Sequence, residues 1–345
     1  MLGLKRREFI TLVGGAVAWS QAARAQQGRL PVVGVLRPIP KDVDQFAEPF
    51  RRYMRAIGWE DGRNVRFLFV WAEGRNDRAP ALAEQLIAQN VDVIVAFADP
   101  AIRAVQRATQ TIPIVGMADD MVGSGLAASM ARPGGNTTGV SILSPERDVK
   151  RLEILHEFAP QARRIAVLAD PSINPNQAQL ESAARELGVQ LVVFEVQNPA
   201  DIGGPLDAIA AARLEAVIVL ASPQLNAARH VIIDRTRIAR LPTIYQFPET
   251  AAEGGLLSYG PRVLLCFRHV VTLVDKILRG AKPADLPIEQ PTKFEPGGKP
   301  KNSNRNRDHD PAHAPVARRR GDRMRRREFI TLIGSAANRH ERDLW

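Results

Sequence analysis

The sequence has little of the residue chemistry that disulfide frameworks and metal sites require. It contains one cysteine, Cys266, and six histidines among its 345 residues. One cysteine forms no internal disulfide and supplies at most half of a paired-cysteine metal clip. Since Cys266 lies in the apolar run Leu-Leu-Cys-Phe, we expect it to be a small buried hydrophobic residue.

Catalytic motifs are missing from residues 26–294, the part of the chain that we expect to fold. Its three histidines, His156, His230 and His269, are far apart, and each lies in a partly apolar, helical setting. No His-x-x-x-His, Cys-x-x-Cys or Gly-x-Ser-x-Gly pattern occurs there. We therefore predict that the protein is not an enzyme and has no catalytic residue, no metal site and no cofactor.

The excess of positive charge lies at the two ends of the chain. The formal net charge is +10 at pH 7. Residues 1–25 hold 4 basic and 1 acidic residues, residues 26–294 hold 30 and 29, and residues 295–345 hold 13 and 7. Because the middle of the chain is almost neutral, the net charge gives no argument for binding to nucleic acid, and we expect no nucleic-acid partner.

Residues 1–25 have the three parts of an export signal. Lys5, Arg6 and Arg7 form a basic start, an apolar run follows at 10–19, and Ala-Arg-Ala at 23–25 has the small-x-small pattern of a cleavage site. A run of about ten apolar residues is too short to cross a bilayer, which takes about twenty. Arg-Arg-Glu-Phe-Ile also resembles the twin-arginine export signal. The alternative is a buried amphipathic N-terminal helix.

This signal predicts a periplasmic protein that is soluble after cleavage. A lipid anchor would need a cysteine at the start of the mature chain, and Cys266 lies far from the predicted cleavage site. We therefore expect a protein that is not attached to the membrane by lipid.

Residues 295–345 differ from everything before them. They are rich in Pro, Asn, Arg and His, and residues 324–336 nearly repeat the signal, including Arg-Arg-Glu-Phe-Ile-Thr-Leu. We interpret this tail as a frameshift near Glu295 into the start of a neighbouring paralogue; an ordinary disordered basic tail is the alternative. Such a composition buries too little apolar surface to order itself, so we expect disorder and little loss of stability when the chain is cut after Phe294.

Residues 26–294 predict an α/β fold with two Rossmann-like lobes of parallel sheet and a hinge. Short β-branched runs alternate with amphipathic stretches, the pattern of parallel strands covered by helices. The order occurs twice, with strands at 32–36, 65–71, 91–96 and 112–115, and then at 164–168, 191–194, 216–220 and 241–245. We place lobe 1 at 26–145, lobe 2 at 146–255, and a return to lobe 1 with the hinge at 256–294, including a long helix at 263–278.

The candidate site is the cleft between the two lobes. Ligands of open parallel sheets bind at the carboxyl ends of strands, where loops and helix N-termini meet. These loops give the predicted ligand-binding residues, which are Arg37, Phe97, Ala98, Asp99, Asp119, Asp170, Ser172, Ser222, Tyr245 and Phe247.

These residue types suit an amino acid, but each has a structural alternative. Hydroxyls, including those of Ser124 and Thr137, suit a carboxylate, the aspartates suit an ammonium group, and the aromatic residues suit an apolar side chain. A serine or aspartate at a helix start is also a common N-cap, and an aromatic residue is often core packing. The sequence leaves these alternatives open.

Several motifs resemble one family in order along residues 1 to about 294. They are Lys-Arg-Arg-Glu-Phe-Ile-Thr-Leu at 5–12, Val-Gly-Val-Leu at 33–36, Arg-Pro-Gly-Gly-Asn-Thr-Thr-Gly-Val at 132–140, Lys-Arg-Leu-Glu at 150–153, Gly-Gly-Leu-Leu-Ser-Tyr-Gly at 254–260, Pro-Ala-Asp-Leu-Pro at 283–287 and Gln-Pro-Thr-Lys-Phe at 290–294. This combination is similar to the ABC transporter substrate-binding family that includes tryptophan- and tyrosine-binding members.

The resemblance implies the type I periplasmic binding fold with three crossovers between lobes. It also implies a small polar or amino-acid-like ligand, an ABC permease in the inner membrane as partner, and a monomer. A soluble periplasmic sensor for a membrane signalling receptor is the alternative, because both functions need the same cleft. Members of the family continue after Lys-Phe-Glu with a strand and a terminal helix, and the sequence departs from them there.

Overall fold

The structure is a computed structural model that describes residues 29–142, 144–173, 177–291 and the backbone of 294–298. The predicted signal and residues 299–345 of the predicted tail lie outside these ranges. Eleven strands are described. In chain order, β1 to β11 are Val32–Arg37, Arg66–Trp71, Val93–Phe97, Ile114–Ala118, Thr137–Ser141, Arg164–Ala169, Gln190–Glu195, Ala216–Val219, Thr243–Tyr245, Leu257–Pro261 and Phe294–Gly298.

Ten α-helices lie in the same described ranges. In chain order, α1 to α10 are Ala47–Ala56, Ala79–Ala88, Asp99–Ala108, Ser144–Phe158, Ala178–Leu187, Gly203–Ala211, Pro223–Ala227, Arg229–Ile238, Pro248–Ala252 and Val263–Leu278. Short 3-10 turns occupy Lys41–Val43, Asn76–Arg78, Pro199–Ile202 and Pro283–Asp285. The helix predicted at 263–278 is confirmed.

The strands form two sheets, and the predicted two-lobed α/β fold is confirmed. The sheet of lobe 1 has five parallel strands in the order β2-β1-β3-β4-β5. The sheet of lobe 2 has six strands in the order β11-β10-β9-β8-β6-β7, of which all but β11 are parallel. Strands at the centre of each sheet are buried on both faces, which explains their continuous apolar sequences.

Each sheet is covered by helices on both faces. In lobe 1, α1 and α10 bury Phe50, Met54 and Val270 on one face, and α2 and α3 bury Leu86 and Ile102 on the other. In lobe 2, α4 and α5 cover one face, and α6, α7 and α8 cover the other. Helix α5 ends at Gly188, whose φ of 66° is the left-handed conformation that glycine adopts without strain.

The chain passes between the lobes three times, as the resemblance implied. It leaves lobe 1 after β5 and enters lobe 2 with α4, and it returns when β10 is followed by α10, which packs on lobe 1. Residues 281–291 then stay on lobe 1, where the backbone N–H of Ile288 donates to the carbonyl of Met130. The third crossing leads to β11 in the sheet of lobe 2.

Two predicted boundaries need correction. We predicted that the return to lobe 1 begins at residue 256, but β10 pairs with β9 through Leu257 and Ser258, so the return begins only after Pro261. We also predicted that order ends at Phe294. Residues 294–298 instead pair antiparallel with β10, because the edge of β10 offers backbone groups that any extended chain can satisfy, whatever its side chains.

Candidate functional site

A cleft of about 650 Å³ lies between the lobes. Lobe 1 contributes Asp99 and Asp119, which follow β3 and β4, and lobe 2 contributes Ser172 and Leu220, which follow β6 and β8. The carboxyl ends of the two parallel sheets therefore face the same cleft, as the sequence predicts. A cleft of this kind is where open α/β sheets bind their ligands.

A smaller pocket of about 70 Å³ adjoins the cleft, and we call it the inner pocket. It shares Asp119 and Ile173 with the cleft. Its walls are mostly apolar and come from lobe 1, from lobe 2 and from the start of α10. They include the rings of Phe97, Phe247 and Phe267.

Eight of the ten predicted site residues line the cleft or the inner pocket. They are Arg37, Phe97, Ala98, Asp99, Asp119, Ser172, Ser222 and Phe247. Asp170 and Tyr245 line neither space.

Asp99 is placed in the cleft by a strained turn. Ala98, between β3 and α3, has φ 67° and ψ 154°, a conformation that an L-residue rarely adopts. Asp99 then begins α3 and enters the cleft. Burial raises the pKa of the Asp99 carboxyl above its ordinary value, and the charge of Asp120 adds to this, while Ser124 and Arg103 oppose it. A cation in the cleft would relieve the repulsion between the two carboxylates.

Arg37 is a fixed part of the wall of the inner pocket. Its guanidinium pairs with Asp44 at 3.0 Å and lies over the rings of Phe97 and Phe46, at 4.1 and 5.0 Å from their centroids. Burial lowers the pKa of Arg37, and Asp44 acts against this shift. Asp44 also accepts a hydrogen bond from the indole of Trp71. The charge of Arg37 is therefore compensated within lobe 1.

Asp170 acts behind the cleft and not in it. Its carboxylate is fully buried and accepts hydrogen bonds from the backbone N–H and the hydroxyl of Ser172, at 3.0 and 2.6 Å. Burial raises the pKa of Asp170, and the bonds from Ser172 and Ser222 oppose this. The hydroxyl of Ser222 also accepts from the backbone of Gln224 and caps α7, so the N-cap alternative applies to Ser222 as well.

Tyr245 belongs to the core of lobe 2, which corrects its prediction as a site residue. Its side chain is 1 % exposed and packs with Ile232 and Ile233 on the face covered by α8. Its hydroxyl lies 3.3 Å from that of Thr236, and burial raises the pKa of Tyr245 to about 12. The aromatic residue of this strand end that reaches the inner pocket is Phe247, two residues later.

Sequence reasoning missed several residues of the cleft. Arg103 lies one helical turn after Asp99, at 3.9 Å from its carboxylate, and this i,i+4 spacing is visible in the sequence. The hydroxyl of Thr137, which the sequence offered as a partner for a ligand carboxylate, instead accepts a hydrogen bond from the side-chain amide of Gln106 within lobe 1. Other lining residues carry no local signal, because they reach the cleft only through packing; they are Asp148, Ile173, Gln177, Asn226, Val263 and Phe267.

The described ranges hold no group of three His, Cys, Asp or Glu side chains arranged to bind a metal ion. They also hold no helix that is both long enough and apolar enough to cross a membrane.

Comparison with known proteins places this architecture in a family. The sequence model of the family described as ABC transporter substrate binding protein matches residues 32–295, from the first strand to the start of β11. The chain belongs to this family. As the sequence resemblance predicted, the protein is thus a substrate-binding protein, a class that binds small molecules and works with ABC transporters.

Other proteins share sequence or fold with the chain. The protein is 22% identical to a tyrosine-binding protein of Clostridioides difficile (strain R20291) over 251 residues, which cover 71% of this chain and 72% of the relative. A conserved domain protein from Vibrio cholerae has a TM-score of 0.69 with 27% identity, covering 78% of this chain and 91% of that one. An ABC domain from Streptococcus pneumoniae in complex with L-Trp has a TM-score of 0.68 with 22% identity, covering 78% and 92%.

Proposed function

We propose that this substrate-binding protein is the extracytoplasmic component of an ABC importer and binds an amino-acid-like ligand in the interlobe cleft. The observation that carries the proposal is the cleft itself, since Asp99 and Asp119 of lobe 1 and Ser172 of lobe 2 line one space of about 650 Å³. A ligand bound there touches both lobes at once. Its binding energy therefore favours the closed arrangement of the lobes.

The cleft offers a suitable partner to each part of an amino acid. Asp99, Asp119 and Asp120 present carboxylates to an ammonium group. The first turn of α5, with Gln179 and Leu180, lines the opposite side, and the first N–H groups of a helix favour an anion such as a carboxylate. The inner pocket is mostly apolar and suits the side chain of the ligand.

Direct contacts between the lobes support a closing motion. The side-chain amide of Asn76 in lobe 1 donates to the hydroxyl of Ser172 in lobe 2 at 2.9 Å. Gly74 lies against Asn198 and Pro199 of lobe 2 so closely that a Cβ there would sit 3.2 to 3.3 Å from them. Ser172 also lines the cleft, so one of these contacts involves a residue that a bound ligand would touch.

Binding is tested by a thermal-shift screen of the mature protein with amino acids, sugars and nucleosides. A ligand at a hundredfold excess over its Kd stabilises the folded protein by about 2.7 kcal/mol. We expect amino acids to raise the Tm, and Asp119→Asn to reduce the shift while the fold is retained. A well-folded protein that responds to a sugar or nucleoside and to no amino acid contradicts the proposed ligand class.

Export and transport need separate experiments. Mass spectrometry of periplasmic protein should find an N-terminus at Gln26, and replacing Arg6 and Arg7 by Lys should block export if the route is the twin-arginine one. Retention of residues 1–25 in a membrane fraction contradicts the expectation of a periplasmic protein that is soluble after cleavage. Ligand-dependent stimulation of the ATPase of a cognate permease supports transport, whereas ligand-dependent binding to a sensor kinase supports the signalling alternative.

A further inference from the structure

We propose that the inner pocket selects a ligand whose ammonium group lies next to a short, branched aliphatic group, as in valine and isoleucine, and that it excludes aromatic side chains. This inference rests on the proposed function, because it assigns the ligand class of the same cleft. It separates the protein from the tyrosine-binding relative and from the structurally similar ABC domain in complex with L-Trp.

The volume of the inner pocket sets the size of the group that enters it. The pocket measures about 70 Å³. An apolar protein cavity that binds benzene measures about 150 Å³, roughly twice as much. An aromatic ring is therefore too large for the inner pocket, whereas the few carbon atoms of a valine or isoleucine side chain match it.

The pocket walls resist enlargement because they belong to a packed aromatic cluster. The Phe97 and Phe267 rings meet edge to face at 6.1 Å, and both contact Phe46, at 4.5 and 4.6 Å between centroids. The guanidinium of Arg37 lies over the Phe97 ring and is held by Asp44. Displacing one ring thus disturbs several close contacts, and rearrangements of this kind in a packed core are destabilising.

Two polar side chains of the inner pocket, those of Arg37 and Ser222, already have bonding partners within the protein. Arg37 is paired with Asp44, and the Ser222 hydroxyl is bonded to Asp170 and Gln224. Sugar hydroxyls placed against Phe247 would lose their hydrogen bonds to water without full replacement.

The position of Asp119 fixes where the ammonium group lies relative to the aliphatic group. Asp119 lines both the inner pocket and the cleft, at the place where the two spaces meet. An ammonium at Asp119 with an apolar group in the inner pocket requires the two groups to be adjacent in the ligand. In α-amino acids they are attached to the same carbon atom, while the carboxylate remains in the larger cleft.

The inner pocket also connects the ligand to the hinge. Ile142 precedes the first crossing between lobes, and Val263 begins α10 after the second crossing. Ala221 and Phe247 of lobe 2 complete the walls. A ligand group that fills this pocket therefore contacts both lobes and two crossing segments. A ligand side chain that fits poorly would weaken its own contacts with the pocket and also hinder closure of the lobes.

The test is calorimetric titration of the mature protein with valine, isoleucine, tyrosine and tryptophan. We expect wild type to bind valine or isoleucine at least about tenfold more tightly than either aromatic amino acid, a ratio typical of steric selection in apolar pockets. Phe247→Ala enlarges the pocket and should improve tyrosine binding relative to valine. Ala221→Leu fills the pocket and should weaken valine binding about tenfold or more. Phe158→Ala, a truncation in the same lobe outside the pocket, should leave the ratios unchanged.

The outcomes distinguish this inference from the proposed function. If wild type binds tyrosine or tryptophan more tightly than valine and isoleucine, the inference is overturned, whereas the proposed function as an amino-acid-binding protein stands. Equal changes in all four affinities for Phe247→Ala also overturn it, provided that circular dichroism shows each variant folded. A folded protein that binds a sugar and none of the four amino acids overturns both.

Discussion

The hydroxyl of Ser222 donates a hydrogen bond to Oδ2 of Asp170 over 2.9 Å and joins two cleft loops that are 52 residues apart in the sequence. Asp170 holds the loop of Ser172 with its other carboxylate oxygen. The lobe 2 side of the cleft is therefore positioned by one buried carboxylate that does not itself line the cleft.

Asp170→Asn should weaken both the fold and the site. The amide replaces one of the two acceptor oxygens by a donor, so a hydroxyl or N–H behind the cleft loses its partner, which costs about 1–3 kcal/mol. We expect a lower Tm and an affinity reduced about tenfold, measured by thermal unfolding and calorimetry. The control is Asp207→Asn, an exposed carboxylate paired with Arg235, which should change little. Unchanged stability in Asp170→Asn would contradict this role.

Tyr245→Phe should leave ligand affinity unchanged, since Tyr245 lies in the core of lobe 2 and lines neither space. The loss of its contact with the Thr236 hydroxyl should cost about 0.5–1.5 kcal/mol of stability. Calorimetry and chemical unfolding measure the two effects. A clear drop in the ligand affinity of Tyr245→Phe with unchanged stability would show that Tyr245 belongs to the binding site.

The same residue should make stability fall at alkaline pH. Burial raises the pKa of Tyr245 from 10.0 to about 12, so the folded state holds the phenol proton more tightly than the unfolded state. Its contribution is complete below pH 10 and is lost as the pH rises towards 12, by roughly 2–3 kcal/mol. The free energy of unfolding of Tyr245→Phe, measured between pH 9 and 12, should therefore decline less than that of wild type. An equal decline in the two proteins would contradict this role of Tyr245.

Glu249→Gln should stabilise the protein near neutral pH. Glu249 lies in α9, and its Oε1 accepts from the backbone N–H of Leu264 at the start of α10, while burial raises its pKa. Folding thus favours the protonated carboxyl of Glu249. The stability that this protonation contributes is lost as the pH rises from about 4.5 through the pKa of the folded state. The difference in Tm between variant and wild type should be positive at pH 7.5 and vanish below pH 4. Glu84→Gln, which changes the same residue type on an exposed helix face, is the control.

Cutting the chain after Phe294 should destabilise it, contrary to the expectation from sequence. Antiparallel pairing joins β11 to β10 from Leu257 to Pro261, and truncation at 294 removes most of that pairing. At roughly 1 kcal/mol per net hydrogen bond, we expect a loss of about 2–4 kcal/mol relative to a chain that ends at Gly298. Thermal unfolding of the two truncated proteins measures the difference. Equal Tm values would show that β11 contributes no stability.

Asn76→Ala should open the unliganded protein. The bond from Asn76 to Ser172 joins the lobes, and an exposed hydrogen bond worth about 0.5–1.5 kcal/mol shifts an open–closed equilibrium roughly two- to tenfold. Small-angle scattering should give a larger radius of gyration for the variant without ligand and the same radius with ligand. Gln85→Ala, on the exposed face of α2, is the control. Identical scattering of Asn76→Ala and wild type would show that the bond from Asn76 to Ser172 does not hold the lobes together.

The sequence by itself determined the two-lobed α/β fold and the location of the cleft. Buried parallel strands need apolar residues on both faces, and covering helices need one apolar face, so both kinds of element leave a local pattern. The helix from Val263 to Leu278 and its bounds follow from such a pattern. Since the carboxyl ends of parallel strands lie on one edge of a sheet, the loops holding Asp99, Asp119 and Ser172 were also predictable.

Only the tertiary structure decided which side chains of those loops enter the cleft. Tyr245 and Phe247 are two residues apart, yet one packs under α8 and the other lines the inner pocket, because side-chain direction changes where a strand ends and its loop turns. Phe267 reaches the same pocket from a helix that packs on the opposite lobe from Phe247. The pairing of β10 with β11 likewise depends on backbone groups. Contacts between distant segments and backbone pairing depend on how the elements pack, and local composition does not encode them.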